Sequence, residues 1–279
     1  MSEDNGGKKC PCRGSGANNS SGIHPTAVIE PGTLIGSDVT IGPYTVIESD
    51  VEIDDGAVIG PHVVLGEGTR IGKRCRIFKG AAIGLEPQDK KYAGEKTHTF
   101  IGEGTVLREF VTVNRGTAAS GATKIGVNGW IMAYCHIAHD CVLGDGVTIS
   151  NALAMAGHVT VGNFVTIGGM VAVHQFVRIG DYAMVGALAK LVSDIVPYAL
   201  TGTDPLRVAG FNKVGLERRG FSADQITNIK RAYKILFRED LQLKDAISKL
   251  ETEYPDSAEV KNIVDFVKGS ERSILRMES

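Results

Sequence analysis

Between Met132 and Asp145 the chain reads MAYCHIAHDCVLGD, which sets His136, His139 and Asp140 beside Cys135 and Cys141 in a run otherwise made mostly of small and aliphatic residues. These residue types support three chemistries. Histidines with a carboxylate or thiolates can ligate zinc, provided their donor atoms converge on one point at about 2.0–2.3 Å. A cysteine beside an imidazole can act as a nucleophile once it is ionised. An imidazole steered by an adjacent carboxylate can take a proton from a hydroxyl near neutral pH.

What must position these groups is an internal repeat. From Ile23 the chain divides into sixes, IHPTAV, IEPGTL, IGSDVT, IGPYTV and onward, whose first residue is Ile, Leu or Val except at Met155 and whose second is most often Gly. The frame breaks at residues 85–100 and again near 118–124, then runs unbroken from Ile125 to about Val196. A period of six fits neither a helix at 3.6 nor a lone strand at 2. It fits short strands joined by tight turns around a solenoid, with each first-position aliphatic pointing into a shared core. The second-position glycines then relieve crowding or permit positive φ at the corners.

Over residues 23–196 this pattern resembles the hexapeptide-repeat, left-handed parallel β-helix family. In that family three hexads make one triangular coil, which implies that residues 18 apart stack at the inter-strand spacing of ~4.8 Å. On that ruler His158 lies above Asp140, Gly157 above His139, and Gln175 two coils above His139 with His174 beside it. One edge thus gathers His139, Asp140, His158, His174 and Gln175, while His136 falls on a different face or corner from His139. The two interruptions must loop out from corners, where binding groups are often carried.

The rest of the chain bounds the function. A formal net charge of −2 gives no general reason to expect nucleic acid or an anionic membrane as partner. No run reaches the ~20 apolar residues of a membrane span, and no secretory signal is present. The cysteines, Cys10, Cys12, Cys75, Cys135 and Cys141, are odd in number and lack a disulfide-framework spacing, which favours a reducing compartment, the cytoplasm. Residues 1–22, rich in Gly, Ser, Asn and Lys, read as a disordered leader whose Cys10-Pro-Cys12 makes at most a weak metal pair. The β-helix is expected over 23–204 and a small α-helical domain over 205–279. There Ser222 with Gln225 forms a capping-box signature, and LKDAISKLETEY and AEVKNIVDFVKGS carry helical spacing. The expected fold is therefore mainly β with a helical tail.

Five ordered motifs narrow the resemblance: QDKKYAGE (88–95), HIAHDC (136–141), AGHV (156–159), GGMVAVHQF (168–176) and GLERRGFS (215–222). Together they are similar to the UDP-N-acetylglucosamine acyltransferases, which act at the first step of lipid A biosynthesis. The resemblance implies that His139 is the general base, Asp140 its orienting carboxylate and the Gly157 N–H an oxyanion donor. It implies that Asp89 and Lys91 contact the sugar nucleotide and that His136, His158, His174 and Gln175 line the cleft. Asn212, Arg218 and Arg219 would hold the uridine, ribose or diphosphate, and Ala187 would set acyl depth. Val214 stands where some relatives carry a carboxylate.

The implied partners are UDP-N-acetylglucosamine, acyl carrier protein, whose phosphopantetheine thioester is the co-substrate, and two further copies of the chain in a homotrimer. No resident cofactor, metal, nucleic acid or stable membrane insertion is implied. A basic cluster of Lys213, Arg218, Arg219 and Arg238 suits an acidic carrier protein. The competing readings are a zinc enzyme like the γ-class carbonic anhydrases, a non-catalytic β-helix scaffold, and transfer to a 3-amino sugar nucleotide.

Overall fold

The computed structural model describes residues 22–277; apart from Gly22, the expected leader, with Cys10 and Cys12, lies outside the described residues. The fold is mainly β, a left-handed parallel β-helix followed by helices. Strands of mostly two residues form three sheets of nine, eight and ten strands, and each strand of the regular coils pairs in parallel with the third one along the chain. The 18-residue register is explicit in Val28↔Val46, Ile137↔Met155 and Ile149↔Ile167.

A two-residue strand sends one side chain inward and one outward. The inward set is the first hexad position, and Ile47, Leu65, Ile83, Leu107, Ile131 and Ile137 are wholly buried. The glycines settle into one of their two expected roles. Second-position glycines face the backbone of the next coil: a Cβ on Gly102 would meet Gly126 C and O at 2.5 Å. Within the regular coils the positive φ falls instead on the fourth position, as at Asp140 (φ 60°), His158 (φ 60°) and Phe176 (φ 65°); Gly84 (φ 77°), where the frame breaks, is a second-position exception.

Both breaks in the frame leave from the same edge, the one joining the nine-stranded sheet to the eight-stranded sheet. The first loop, residues 86–97, runs from strand Ala82–Leu85 to strand His98–Ile101; the second, residues 115–121, runs from Thr112–Asn114 to Ala122–Ile125. In the next coil that edge is turned by residues 138–141, between His136–Ile137 and Val142–Leu143.

The β-helix closes on an antiparallel hairpin, Ala199–Thr203 with Leu206–Phe211, which the repeat pattern did not announce. The expected boundary at 204/205 falls in its turn. Helices α1 (Lys213–Arg218), α2 (Ala223–Arg238), α3 (Leu243–Glu253) and α4 (Ala258–Lys268) follow. The capping box is formed: Ser222 Oγ accepts from Gln225 N at 3.2 Å, and Gln225 Oε1 accepts from Ser222 N at 2.9 Å. Buried Ile229, Tyr233 and Leu236 face inward from α2, and the Tyr233 hydroxyl donates to Pro197 O at 2.6 Å, tying the helices to the last coil. Among the described residues no helix is long and apolar enough to cross a membrane.

Candidate active site

His139 and Asp140 occupy the third and fourth positions of one turn, and the coil above places Gly157 and His158 over them: His158 N donates to His139 O at 3.0 Å. The imidazole lies against the Gly157 backbone, where a Cβ would sit 2.6 Å from its Cε1 and 2.8 Å from Nε2. At the neighbouring edge, third-position amides are capped by the side chain of the coil above, as in Val127 N to Asp145 Oδ1 (2.9 Å) and Asn163 N to Asp181 Oδ1 (2.6 Å). Above Gly157 stands Gln175, and the Gly157 N–H has no hydrogen-bond partner among the described residues. It is an open donor beside an imidazole.

His139 and Asp140 are both buried, and His139 Nδ1 lies 2.8 Å from Asp140 Oδ2. The carboxylate is saturated by the second loop. Thr117 donates from N to Oδ1 (2.9 Å) and from Oγ1 to Oδ2 (2.7 Å), and Ser120 Oγ donates to Oδ1. Asp140 N in turn donates to Thr123 Oγ1 at 2.8 Å. Burial pushes the Asp140 carboxyl up, but the hydrogen bonds from Ser120, His139 and Thr117 together outweigh it and hold it at about 2. An acceptor that is ionised near neutral pH fixes the tautomer at Nδ1 and leaves Nε2 free to take a proton.

The nucleophile reading fails on the thiols. Cys135 and Cys141 are buried, and burial pushes the Cys141 thiol up to about 12 and raises Cys135 as well. Donor atoms of a kind that ligate metals also gather here. Ligating atoms of His139, Asp140 and His158 lie within 4.8 Å of one another. Two donors at ~2.1 Å from a tetrahedral zinc sit ~3.4 Å apart, whereas the His139–Asp140 separation of 2.8 Å is that of a hydrogen bond. The other Asp140 lone pairs are taken by the second loop.

The third and fourth positions send side chains in different directions. A groove of about 550 Å³ at this edge is lined by Gln88, Asp89, Lys91, His136, His139, Gly157 and Gln175. His136 reaches it from the sheet face, bonded to Thr112 Oγ1 at 2.8 Å, with its pKa lowered by burial and by nearby His139. His158 is set back: it stacks on Phe176 (4.7 Å), meets His139 edge-on (5.1 Å), and places Nε2 3.6 Å from Asp140 Oδ2. His174 lies outside the groove, 3.2 Å from Arg272 Nη2.

The remaining expected site residues lie on the other two edges of the same chain. Ala187 turns the edge between the ten- and nine-stranded sheets, next to exposed Leu188. Asn212 caps α1, accepting from Gly215 N at 3.1 Å and donating to Tyr182 O at 2.9 Å. Arg218 and Arg219 end that helix, and the Arg219 guanidinium lies 4.2 Å over Phe164, on the edge between the eight- and ten-stranded sheets. Sequence reasoning missed Gln88, Thr117, Ser120 and Thr123. One signal for the last three was present: the second break in the frame lies one coil below Asp140 and carries hydroxyls.

Comparison with known proteins adds a family. The model described as UDP-N-acetylglucosamine O-acyltransferase, domain 2, matches residues 194–275, and the bacterial transferase hexapeptide model matches 32–67 and 44–79. An acyl-[acyl-carrier-protein]--UDP-N-acetylglucosamine O-acyltransferase from Stenotrophomonas maltophilia is 48% identical over 260 residues, 92% of this chain and 99% of the relative. Its namesake from Thiobacillus denitrificans is 47% identical over 255 residues, 91% and 99% of the two chains. The chain belongs to the UDP-N-acetylglucosamine O-acyltransferase family.

Solved acyltransferases of this family share its shape. That from Bacteroides fragilis superposes with a TM-score of 0.88 at 42% identity, over 91% of this chain and 99% of its own. That from Francisella novicida gives 0.90 at 34%, over 92% and 95%. Membership in the UDP-N-acetylglucosamine O-acyltransferases favours neither the carbonic anhydrase reading nor the scaffold reading.

Proposed function

We propose that the protein moves a 3-hydroxyacyl chain from the phosphopantetheine thioester of acyl carrier protein to the 3-hydroxyl of UDP-N-acetylglucosamine. The observation that carries this reading is His139: its Nδ1 is held by Asp140, and its Nε2 makes no hydrogen bond among the described residues and lies beside the open Gly157 N–H. Nε2 takes the proton of the sugar hydroxyl as its oxygen bonds to the thioester carbon. The Gly157 N–H donates to the oxyanion of the tetrahedral intermediate. Collapse breaks the C–S bond, and the imidazolium returns its proton to the leaving thiolate. Atoms and protons balance without a resident cofactor or metal.

Asp89 and Lys91 hold the sugar nucleotide from the first loop, and His136 and Gln175 border the acceptor. Asn212, Arg218, Arg219 and Ala187 lie on other edges of their own chain, so they complete the site from neighbouring copies in a homotrimer. The edge carrying Ala187 supports this assembly. It is an exposed apolar ridge on which Tyr134, Met170 and Leu188 are 64%, 66% and 71% exposed, far more than a lone chain needs to show water. An acyl chain laid along it is stopped by the residue at 187. The two arginines supply charge and paired donors to a diphosphate.

Acyl carrier proteins are acidic. Lys230, Arg231, Lys234 and Arg238 line a groove of about 570 Å³ floored by Leu200, Phe211 and Tyr233, and give such a partner a docking surface. The free buried cysteines support a reducing, cytoplasmic setting.

The test incubates the protein with UDP-N-acetylglucosamine and a panel of 3-hydroxyacyl carrier proteins of varied chain length, followed by mass spectrometry. A nucleotide sugar carrying one acyl ester is the expected product. Absence of product from every donor overturns the reading, and an amide formed only with a 3-amino sugar nucleotide replaces the acceptor.

A further inference from the structure

Asp140 is buried, and among the described residues no fixed positive charge lies within hydrogen-bonding reach of it. The titratable groups that face it are His139, His158 at 3.6 Å, the adjoining Cys141 thiol and, through space, the Glu95 carboxylate, while His136 acts on His139. The carboxylate is therefore held by neutral donors from residues 115–121. Thr117 is locked by its surroundings: its Oγ1 accepts from Ala119 N at 3.2 Å and so must turn its proton to Asp140, and its carbonyl accepts from Gly121 N at 2.8 Å. Among the described residues the Ser120 hydroxyl reaches only acceptors, Asp140 Oδ1 and, at 3.1 Å, Ala122 O. With one proton to give and a charged oxygen competing with a neutral one, it donates to the carboxylate. Glu95 ties the loop to the first inserted loop, accepting from Ala118 N at 3.2 Å and Ala93 N at 2.8 Å.

We propose that Ser120 is a positioning residue for the base: its hydroxyl fixes the Asp140 carboxylate on His139 Nδ1 and limits how strongly that carboxylate stabilises the imidazolium. The inference rests on the acyl-transfer reading, with His139 as base. Two consequences follow from removing a single donor. The carboxylate gains freedom, so the imidazole is less well aimed and turnover falls. It also becomes a stronger acceptor toward His139, so the imidazole holds its proton to higher pH.

The test follows the ¹⁵N-imidazole titration of His139, assigned by its loss in His139→Ala, together with kcat and KM across pH. The set is the wild-type protein, Ser120→Ala, Ser120→Cys and Ser120→Thr. Ser120→Ala and Ser120→Cys are expected to raise the His139 midpoint and the acid limb of kcat/KM by ~0.3–0.5 pH unit. They should lower kcat roughly tenfold with KM for the nucleotide within about twofold. Ser120→Thr, which keeps the hydroxyl, is expected to restore both. An unmoved His139 midpoint in the Ala and Cys variants overturns the proposal, even if their kcat falls, since that is loss of structure alone. If wild-type protein makes no acylated product, the acyl-transfer reading has failed, and the titration still reports separately on whether Ser120 acts on His139.

Discussion

The His139 ring rests on the backbone of Gly157, one coil above, with no room between them: a Cβ at 157 would stand 2.6 Å from Cε1. In the proposed mechanism Gly157 serves twice, through its uncapped N–H and through its missing side chain. Gly157→Ala is expected to displace the imidazole and lower kcat on the order of a hundredfold. The thermal midpoint should change little, because a ring at the edge of a groove can tilt away. Comparable losses of both would mean that the glycine serves folding instead.

Asp140 links the site to acid stability. Its carboxyl is held at about 2, below the ordinary 3.8, so the folded state binds fewer protons than the unfolded state in that window. The stabilisation, about 2 kcal/mol, is complete above pH ~4 and is lost as pH falls toward ~2. The urea midpoint of wild type should exceed that of Asp140→Asn at pH 5, and the gap should close by pH 2. A constant gap would show that the hydrogen bonds, not the charge, carry the difference. In activity, Asp140→Asn frees the tautomer of His139 and should lower kcat by about 10²–10⁴.

The apolar ridge makes a prediction about assembly. Leu188→Asp and Met170→Glu each place a charge that a packed interface would strand. Sedimentation velocity is expected to show a shift from trimer to smaller species, with loss of acyl transfer in step. A trimer that survives both substitutions would take the ridge out of the interface.

Crowding between coils can be tested away from the site. The Cβ of Gly102→Ala would meet only backbone, Gly126 C and O at 2.5 Å and Val127 N at 2.7 Å. Neighbouring strands cannot yield there without breaking register, so destabilisation of roughly 2 kcal/mol or more is expected, read as a lower thermal midpoint. Gly32→Ala is the contrast. Nothing lies within 4 Å of its added Cβ, but φ is +88°, so its cost is backbone strain of roughly 1–2 kcal/mol.

The regular coils were legible because a solenoid repeats one local rule. Ile at the first hexad position and Gly at the second recur for the same steric reason in coil after coil, so Ile137 and Gly102 can be placed from sequence alone. The pairing of His139 with Gly157 follows from counting, since stacked coils hold a fixed register. Thr117 and Ser120 could not be read in this way. They sit in an irregular loop, where the repeat stops and a hydroxyl's direction depends on how the loop folds back.

The helical end shows the same division. Ser222 and Gln225 announced a cap through local spacing, whereas the antiparallel return of Leu206–Phe211 onto Ala199–Thr203 depends on pairing across a turn that interrupts the hexads. By itself the sequence determined the coil, its core, the stacked residues of the His139 edge and the family motifs, because each is a short-range or strictly periodic relation. Only the tertiary structure decided that both inserted loops leave from one edge, that the second saturates Asp140, and that Asn212, Arg218, Arg219 and Ala187 lie away from His139 in their own chain. Those are contacts between segments with no fixed spacing, set by how three sheets and a helical tail share one prism.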